Sequence, residues 1–396
     1  MTIATAQNRA TLRSGSAAEA GMDPDRVARI RERGAEWVRD GVTPSLVLLA
    51  ARRGVVFLHE PFGTLAQNGA PVQRDTLFPI ASMTKSMTAT AIMMLVEEGK
   101  VGLGRSVQDY IPEFQGKGKE DVLLWHLLTH TSGLRWEDVE FYATTTGATV
   151  QTPPPEPTEF KPTSRFLHQR YGAPLWKRPG EEMSYCTFNY VVLGEIVRRV
   201  SGIHGADFMD QRIFAPLGMA DTTAHYPGDD SPRLATLPAD APLRVLFPSP
   251  ALPPGLPARG DAGVVSTALD LAVFGQACLN GGRYGDVRLL SPATIQQMTR
   301  NQIPGISVNW FGQFHREASW GYGWQVTCDE KWSYFDGSLR PAESFGHGGA
   351  TGTFYWIDPQ NEVVGVYLSL GVAWERDVFR HRFDLFQNMV YAALDG

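Results

Sequence analysis

The chain has 396 residues, 43% of them hydrophobic and 20% charged, with 36 basic against 42 acidic side chains and a formal net charge of −6. Such a chain buries a large core, or two lobes sharing one site, and wholesale disorder is not expected. No basic run stands out, so no nucleic-acid partner is expected.

Three cysteines, Cys186, Cys278 and Cys328, are widely spaced and form no CxxC pair. A disulfide framework and a zinc site are both unsupported, and a reducing compartment fits. The opening residues carry no apolar run of signal-peptide length, and no stretch approaches the roughly 20 apolar residues of a membrane span. The expectation is a cytoplasmic protein with no membrane partner.

In chain order, residues 1–20 read as a flexible arm. Residues 22–39 predict a helix, with Asp23 as N-cap followed by Pro24. Two apolar runs, 45–51 and 55–59, are separated by Arg52, Arg53 and Gly54 and predict an antiparallel hairpin. A short extended entry at 76–80 leads to a helix over 82–100, rich in Met, Ala and Leu and ended by Gly99, Gly102 and Gly104. A short helix over 122–128 runs into THTSGL. Residues 143–180, Thr-rich and then carrying Pro153, Pro154 and Pro155, read as a long surface excursion able to act as a lid. Helices follow at 190–200, 267–279 and 291–300, with a proline-rich irregular stretch at 226–260. Extended runs at 353–357 and 363–370 flank an Asp358-Pro359 turn, and a helix over 376–394 closes the chain.

Strands thus sit at both ends and helices in the middle. The pattern predicts an α+β fold, a sheet lobe assembled from both termini with a helical lobe inserted. After the arm, residues 21–396 are expected to form a single domain of two lobes. Residues 21–80 and 264–396 make the first, and 81–263 the second.

Residues 78–85, FPIASMTK, contain Ser-x-x-Lys. A serine hydroxyl is a weak nucleophile unless a neighbour takes its proton. At helical spacing Lys85 projects beside Ser82. A serine at the start of a helix also lies near free backbone N–H groups and the positive end of the dipole, both suited to a developing oxyanion. Ser-x-x-Lys also arises by chance, and serine is a frequent N-cap. The context adds a reason here, because a lysine in the first turn of an apolar, buried helix needs a partner or a role.

The segment PIASMTKSMTATAIMMLVEEGKVGL resembles the Ser-x-x-Lys helix of class C β-lactamases, family VIII carboxylesterases and DD-peptidases. LLWHLLTHTSGL at 123–134 is similar to the structural signature that follows it, and PGEEMSYCTFNYVVLGEIV at 179–197 to the second catalytic motif. GDAGVVSTALDLAVFG at 260–275 and SFGHGGATGTFYWIDP at 344–359 resemble the later segments. Five segments in this order, running from about Gly21 to the C-terminus, resemble the serine β-lactamase-like and penicillin-binding-protein superfamily. The pattern is closest to family VIII carboxylesterases. The resemblance implies a β-lactamase/transpeptidase-like fold, an antiparallel β-sheet flanked by terminal helices plus an inserted mainly helical lobe, with the site between the lobes. It also implies no metal or organic cofactor.

Tyr185 matches the tyrosine of the superfamily's Tyr-x-Asn motif. A free tyrosine has a pKa near 10, and a protonated Lys85 close by would favour the phenolate. Tyr185 could then accept the Ser82 proton, deliver it to the leaving group and later activate water. Thr187 stands where the motif has asparagine, whose side chain in relatives helps hold a substrate amide. Threonine is shorter and cannot reproduce the amide's paired donor and acceptor. Asn189 lies two residues further on, where helical geometry argues against its standing in.

Many relatives carry Lys-Thr-Gly where this chain has His347-Gly348-Gly349. The glycines let a strand backbone approach a substrate closely. The resemblance implies that the Ala350 and Ser82 N–H groups form the oxyanion hole. Histidine, unlike lysine, is mostly neutral at pH 7. β-Lactams and DD-peptides carry a carboxylate near the reacting centre, and a neutral ester needs no cation there. Thr187 and His347 therefore both point towards an esterase.

No Gly-x-Ser-x-Gly elbow is present. His126 and His130 share helical spacing, but no carboxylate lies between them, and capping or hydrogen bonding is the expected role. Trp176, Trp320, Trp324 and Trp332 are candidate pocket walls or core residues. The substrate-binding candidates are Thr187, His347, Gly348, Gly349 and Trp332. The sequence thus predicts a serine carboxylesterase that acts on a small-molecule ester through an acyl-enzyme. The rival readings are a β-lactamase, a DD-peptidase or another amidase, an acyltransferase, and a non-catalytic ligand-binding module of the same fold.

Overall fold

The computed structural model describes residues 10–147, 161–228, 230–236, 254–310, 313–328, 337–370 and 376–395. A seven-stranded sheet draws its strands from both ends of the chain: β1 (Arg13–Ser14), β2 (Ser45–Arg52), β3 (Val55–Gly63), β4 (Gln325–Val326), β5 (Phe345–Gly349), β6 (Thr353–Asp358) and β7 (Val363–Ser369). Their order across the sheet is β1-β3-β2-β7-β6-β5-β4. Neighbours are antiparallel except β1, which lies parallel to β3. The hairpin expected at Arg53 and Gly54 is present. Both residues take positive φ, 53° and 78°, as a tight two-residue hairpin turn requires.

All of β2 and β7 is buried, because helices cover both faces of the sheet. Leu46, Leu48 and Ala50 pack with Val27, Ile30 and Trp37 of α1 (Pro24–Arg39) and with Phe383 and Phe386 near the C-terminus. The alternate residues Val47, Leu49 and Ala51 join the larger core. The same core holds α2 (Thr84–Glu97), α3 (Leu124–Leu128), α4 (Phe188–Ser201) and α5 (Ala268–Leu279), the last packed directly on β2. The last helix, α6 (Arg376–Ala392), pairs its side of the sheet with α1. Asp23 caps α1 as expected, its carboxylate accepting from the N–H groups of Asp25 and Arg26.

α2 is buried from Thr84 to Leu95 on every side. A helix without a polar face belongs in the middle of a protein, and this one lies against α4. The helix expected over 82–100 begins later, at Thr84, because residues 81–83 form a 3₁₀ turn.

The flexible arm expected over residues 1–20 does not hold from Ala10 onwards. Arg13 N–H donates to Gly54 O at 3.0 Å, Gly15 N–H donates to Val56 O at 3.1 Å, and Ala20 is fully buried. The exposed edge of β3 leaves backbone groups to be paired, and this short segment pairs them. Residues 1–9 lie outside the described residues. So do residues 148–160 of the expected excursion and 237–253 of the proline-rich stretch. Beyond them, the helix Lys161–His168 brings Phe166 between two guanidinium groups, Arg170 at 3.5 Å and Arg259 at 4.3 Å from the ring centroid. Among the described residues no helix is long and apolar enough to cross a membrane.

Candidate active site

Ser82 is held by a backbone frame. Phe78 and Pro79 pair antiparallel with Ser266 and Val265, and Ile80 N–H donates to Val264 O at 3.1 Å. The chain then turns sharply at Ala81, whose φ of 47° lies in the left-handed region. That conformation costs a non-glycine residue roughly 1–2 kcal/mol. Ser82 follows in the 3₁₀ turn, half-buried and facing the start of α2.

Lys85 is fully buried in the first turn of α2. Its Nζ donates to Ser82 Oγ at 2.9 Å and to the Asp261 backbone carbonyl at 2.8 Å. The ammonium also lies over the Tyr185 ring, 5.2 Å from its centroid, and 5.8 Å from that of Tyr190. Two aromatic rings, one hydroxyl and one backbone carbonyl thus surround this amine. Thr88, one turn further along α2, donates to Gly260 O at 2.7 Å and holds the same loop. Asp261 is itself buried, with its carboxylate 3.4 Å from Arg259.

Tyr185 is half-buried in the segment before α4. Its ring contacts His130, Trp310 and Trp320, with centroids 4.4, 5.1 and 5.9 Å away. The next residue, Cys186, is buried, and burial pushes its thiol up to about 12, so it is chemically quiet. Thr187 is half-buried one residue before α4. Asn189 faces elsewhere: it is fully buried, and its Oδ1 accepts from Ser132 Oγ at 2.9 Å. It does not replace the missing motif asparagine.

β5 brings the third motif to Ser82. β4 pairs only with Phe345 and Gly346, so His347 to Gly349 run on beyond it. A side chain at Gly349 would overlap Ile80 O and Thr353 Oγ1. Glycine therefore permits the strand to lie against the turn that carries the serine. Thr351 Oγ1 donates to Pro79 O at 2.8 Å and fixes the same junction from the other side. Ala350, at the end of β5, is half-buried.

His347 is 2% exposed, and its Nδ1 lies 2.8 Å from Gly348 O. The carbonyl only accepts, so Nδ1 carries a hydrogen. Burial, reinforced by the Lys85 charge, holds this imidazole down to about 3. The ring is therefore neutral at pH 7, with a lone pair on Nε2. Trp320 lies edge-on to it at 5.6 Å.

Of the tryptophans, Trp320 is buried at the site, and Trp324 is buried in the core against Phe345 and Tyr355. Trp176 is exposed and lies under Arg135. Trp332 lies outside the described residues. His126 caps α3, its Nδ1 accepting the Leu123 N–H at 3.0 Å. An open cleft of about 480 Å³ lined by Asp121, Trp125, His126 and Arg178 contains none of Ser82, Lys85 or Tyr185. The candidate site therefore rests on side-chain geometry at Ser82, not on cavity size.

A family model described as Beta-lactamase matches residues 26–388. The chain belongs to the β-lactamase family. Among its curated relatives, a protein of Salmonella agona named "Putative D-alanyl-D-alanine carboxypeptidase" is 26% identical over 394 residues. The match covers 90% of this chain and 85% of that protein. A penicillin-binding protein homologue from Caulobacter crescentus is 25% identical, with a TM-score of 0.72 over 94% of this chain and 99% of that one. EstCE1, described as a hydrolase with promiscuous acyltransferase activity, is 22% identical with a TM-score of 0.71. A family VIII carboxylesterase is 23% identical with a TM-score of 0.68. Both cover 94% of this chain and 99% of their own. The last two likenesses establish the shared fold.

Around this candidate site, two contributors and the partner of a third escaped the sequence reading. The Asp261 carbonyl is a backbone acceptor and leaves no residue signature. Trp310, in a hairpin of Val308–Trp310 with Gln313–His315, lies in no recognised segment. His130 was expected to make hydrogen bonds, and it does so to the segment that carries Tyr185.

Proposed function

We propose that the chain is a serine carboxylesterase acting on uncharged small-molecule esters through an acyl-enzyme. Ser82 Oγ attacks the ester carbonyl carbon. Tyr185, beside Lys85, takes the hydroxyl proton and returns it to the departing alcohol. The Ser82 and Ala350 N–H groups receive the charge that develops on the carbonyl oxygen. Water, deprotonated by the same pair, attacks the acyl-enzyme; the acid leaves and Ser82 regains its proton. Residues 21–80 with 264–396 form one lobe and 81–263 the other, with Ser82 at their junction.

The observation that carries the ester preference is His347. Its buried, neutral imidazole offers no positive charge to a substrate carboxylate at that position. Thr187 supports the same reading, since it lacks the asparagine's amide. The name carried by the Salmonella relatives favours a peptidase instead.

The test is kcat/KM for p-nitrophenyl butyrate and for a chromogenic cephalosporin on one preparation, with Ser82→Ala as control. The expected result is a large preference for the ester, lost in the variant. A preference for the lactam would overturn the weight given to His347 and Thr187.

A further inference from the structure

His130 grips the segment carrying Tyr185 from both sides. Its backbone carbonyl accepts the Ser184 N–H at 2.9 Å, and its ring Nδ1 accepts the Cys186 N–H at 3.2 Å. These are the two residues that flank Tyr185. Between them the imidazole lies against the tyrosine ring, with centroids 4.4 Å apart and planes inclined by 36°.

The chemistry of this grip is specific. A backbone N–H only donates, so Nδ1 must carry a lone pair and the ring hydrogen sits on Nε2. An imidazolium has no such lone pair and would release Cys186. Burial first, then the Lys85 charge and His347, hold the ring well below its ordinary value, so the acceptor persists. His130 also adopts a φ of 58°. Among non-glycine residues, Asn, Asp and His enter that region most readily.

We propose that His130 is the positioning residue for Tyr185. It acts through its contacts with Tyr185 and the two residues beside it, and its role is indirect. It fixes the phenol in register with Lys85 and Ser82 by holding the residues on either side and by stacking on the ring. This inference rests on the reading of Tyr185 as the proton-transfer group.

The test is a double-mutant cycle with p-nitrophenyl butyrate, using His130→Asn, His130→Leu, Tyr185→Phe and the Leu/Phe double variant. Asparagine places Oδ1 where Nδ1 stood and tolerates the backbone angle, so kcat is expected to stay within about fivefold of wild type. Leucine keeps volume but loses the acceptor. Its kcat is expected to fall about 10²-fold with KM little changed, the loss associated with a displacement near 1 Å. In the Tyr185→Phe background leucine is expected to cost almost nothing more, because the group it positions is already gone. If the leucine variant does not fold, His130→Gln, whose acceptor sits one bond further out, takes its place in the cycle.

Equal losses in both backgrounds, or an asparagine variant as slow as leucine, would overturn the proposal and leave His130 a packing residue. Wild-type kcat in Tyr185→Phe alone would overturn the reading of Tyr185 itself, and the two failures are thereby distinguished.

Discussion

Lys85 Nζ lies 2.8 Å from the Asp261 backbone carbonyl while it donates to Ser82 Oγ, so the loop at 260–261 sets where the catalytic candidate's ammonium stands. The lysine is fully buried and, among the described residues, its hydrogen bonds go to a hydroxyl and a backbone carbonyl and not to a carboxylate. Lys85→Met keeps much of the side-chain volume and removes the charge. The expected outcome is a loss in kcat of at least about 10²-fold, in the range for removal of a proton-transfer partner. The far-ultraviolet circular dichroism spectrum should be retained. Activity within tenfold of wild type would remove Lys85 from the machinery.

Gly349 supplies a second test, on the strand side. An added methyl would overlap the Ile80 carbonyl, two residues before Ser82. Gly349→Ala must therefore push β5 away from the turn at Ser82 and move the Ala350 N–H with it. The expected loss in kcat is about 10²–10³-fold, as for removal of one oxyanion donor. Ser82 labelling by a small fluorophosphonate should slow in parallel. A normal kcat would mean that this strand does not need its close approach.

The buried histidine His347 makes acid stability predictable. Its folded value is held down to about 3, below the unfolded value near 6.5. The unfolded chain therefore binds the extra proton. The stability linked to the neutral ring is complete above about pH 6.5 and is lost as pH falls towards 3. One such group costs about 1.4 kcal/mol per pH unit in that window. Urea unfolding at pH 7.5, 6.0 and 5.0 should give a shallower acid slope for His347→Gln than for wild type. Identical slopes would contradict the buried neutral ring.

Lys119 gives a signal of the same sign in a more alkaline window. It is fully buried, donates to the Tyr171 carbonyl and lies over the Phe114 ring at 4.5 Å. Burial pushes its amine down to about 7, from an ordinary value near 10.4. The unfolded chain holds its proton more firmly, so stability from this group is present above about pH 10 and is lost as pH falls to 7. Lys119→Met removes a penalty on the order of 2–5 kcal/mol at pH 7. It also leaves a carbonyl unpaired, at about 1–3 kcal/mol. The net expectation is a modest gain at pH 7 that shrinks at pH 9, measured by urea unfolding. A gain that grows with pH would contradict it.

Much of this was legible in the sequence, and for physical reasons. The runs 46–51 in β2 and 55–58 in β3 are apolar and buried, and the Arg53-Gly54 pair marks their turn. That Ser82, Lys85 and Tyr185 would lie together was legible because their motifs are side-chain patterns at fixed spacing. What the sequence hid was made of backbone. Arg13 and Ser14 join the sheet through main-chain pairing, with no apolar pattern to announce a strand. Ala81 turns left-handed although alanine carries no signal for it. The Asp261 carbonyl that receives Lys85 depends on where a loop passes, not on which residue it carries. His130 looked like one more capping histidine, and only the fold brings the 130 and 184–186 segments together.

The central claim is that Ser82 forms the covalent intermediate. The most direct measurement is intact-mass and peptide-mapping spectrometry after reaction with a fluorophosphonate, on wild type, Tyr185→Phe and Ser82→Ala. The account predicts one adduct on the peptide containing Ser82 in wild type. It predicts slower formation of the same adduct in Tyr185→Phe, and none in Ser82→Ala. An adduct on another residue, or undiminished labelling of Ser82→Ala, would contradict it.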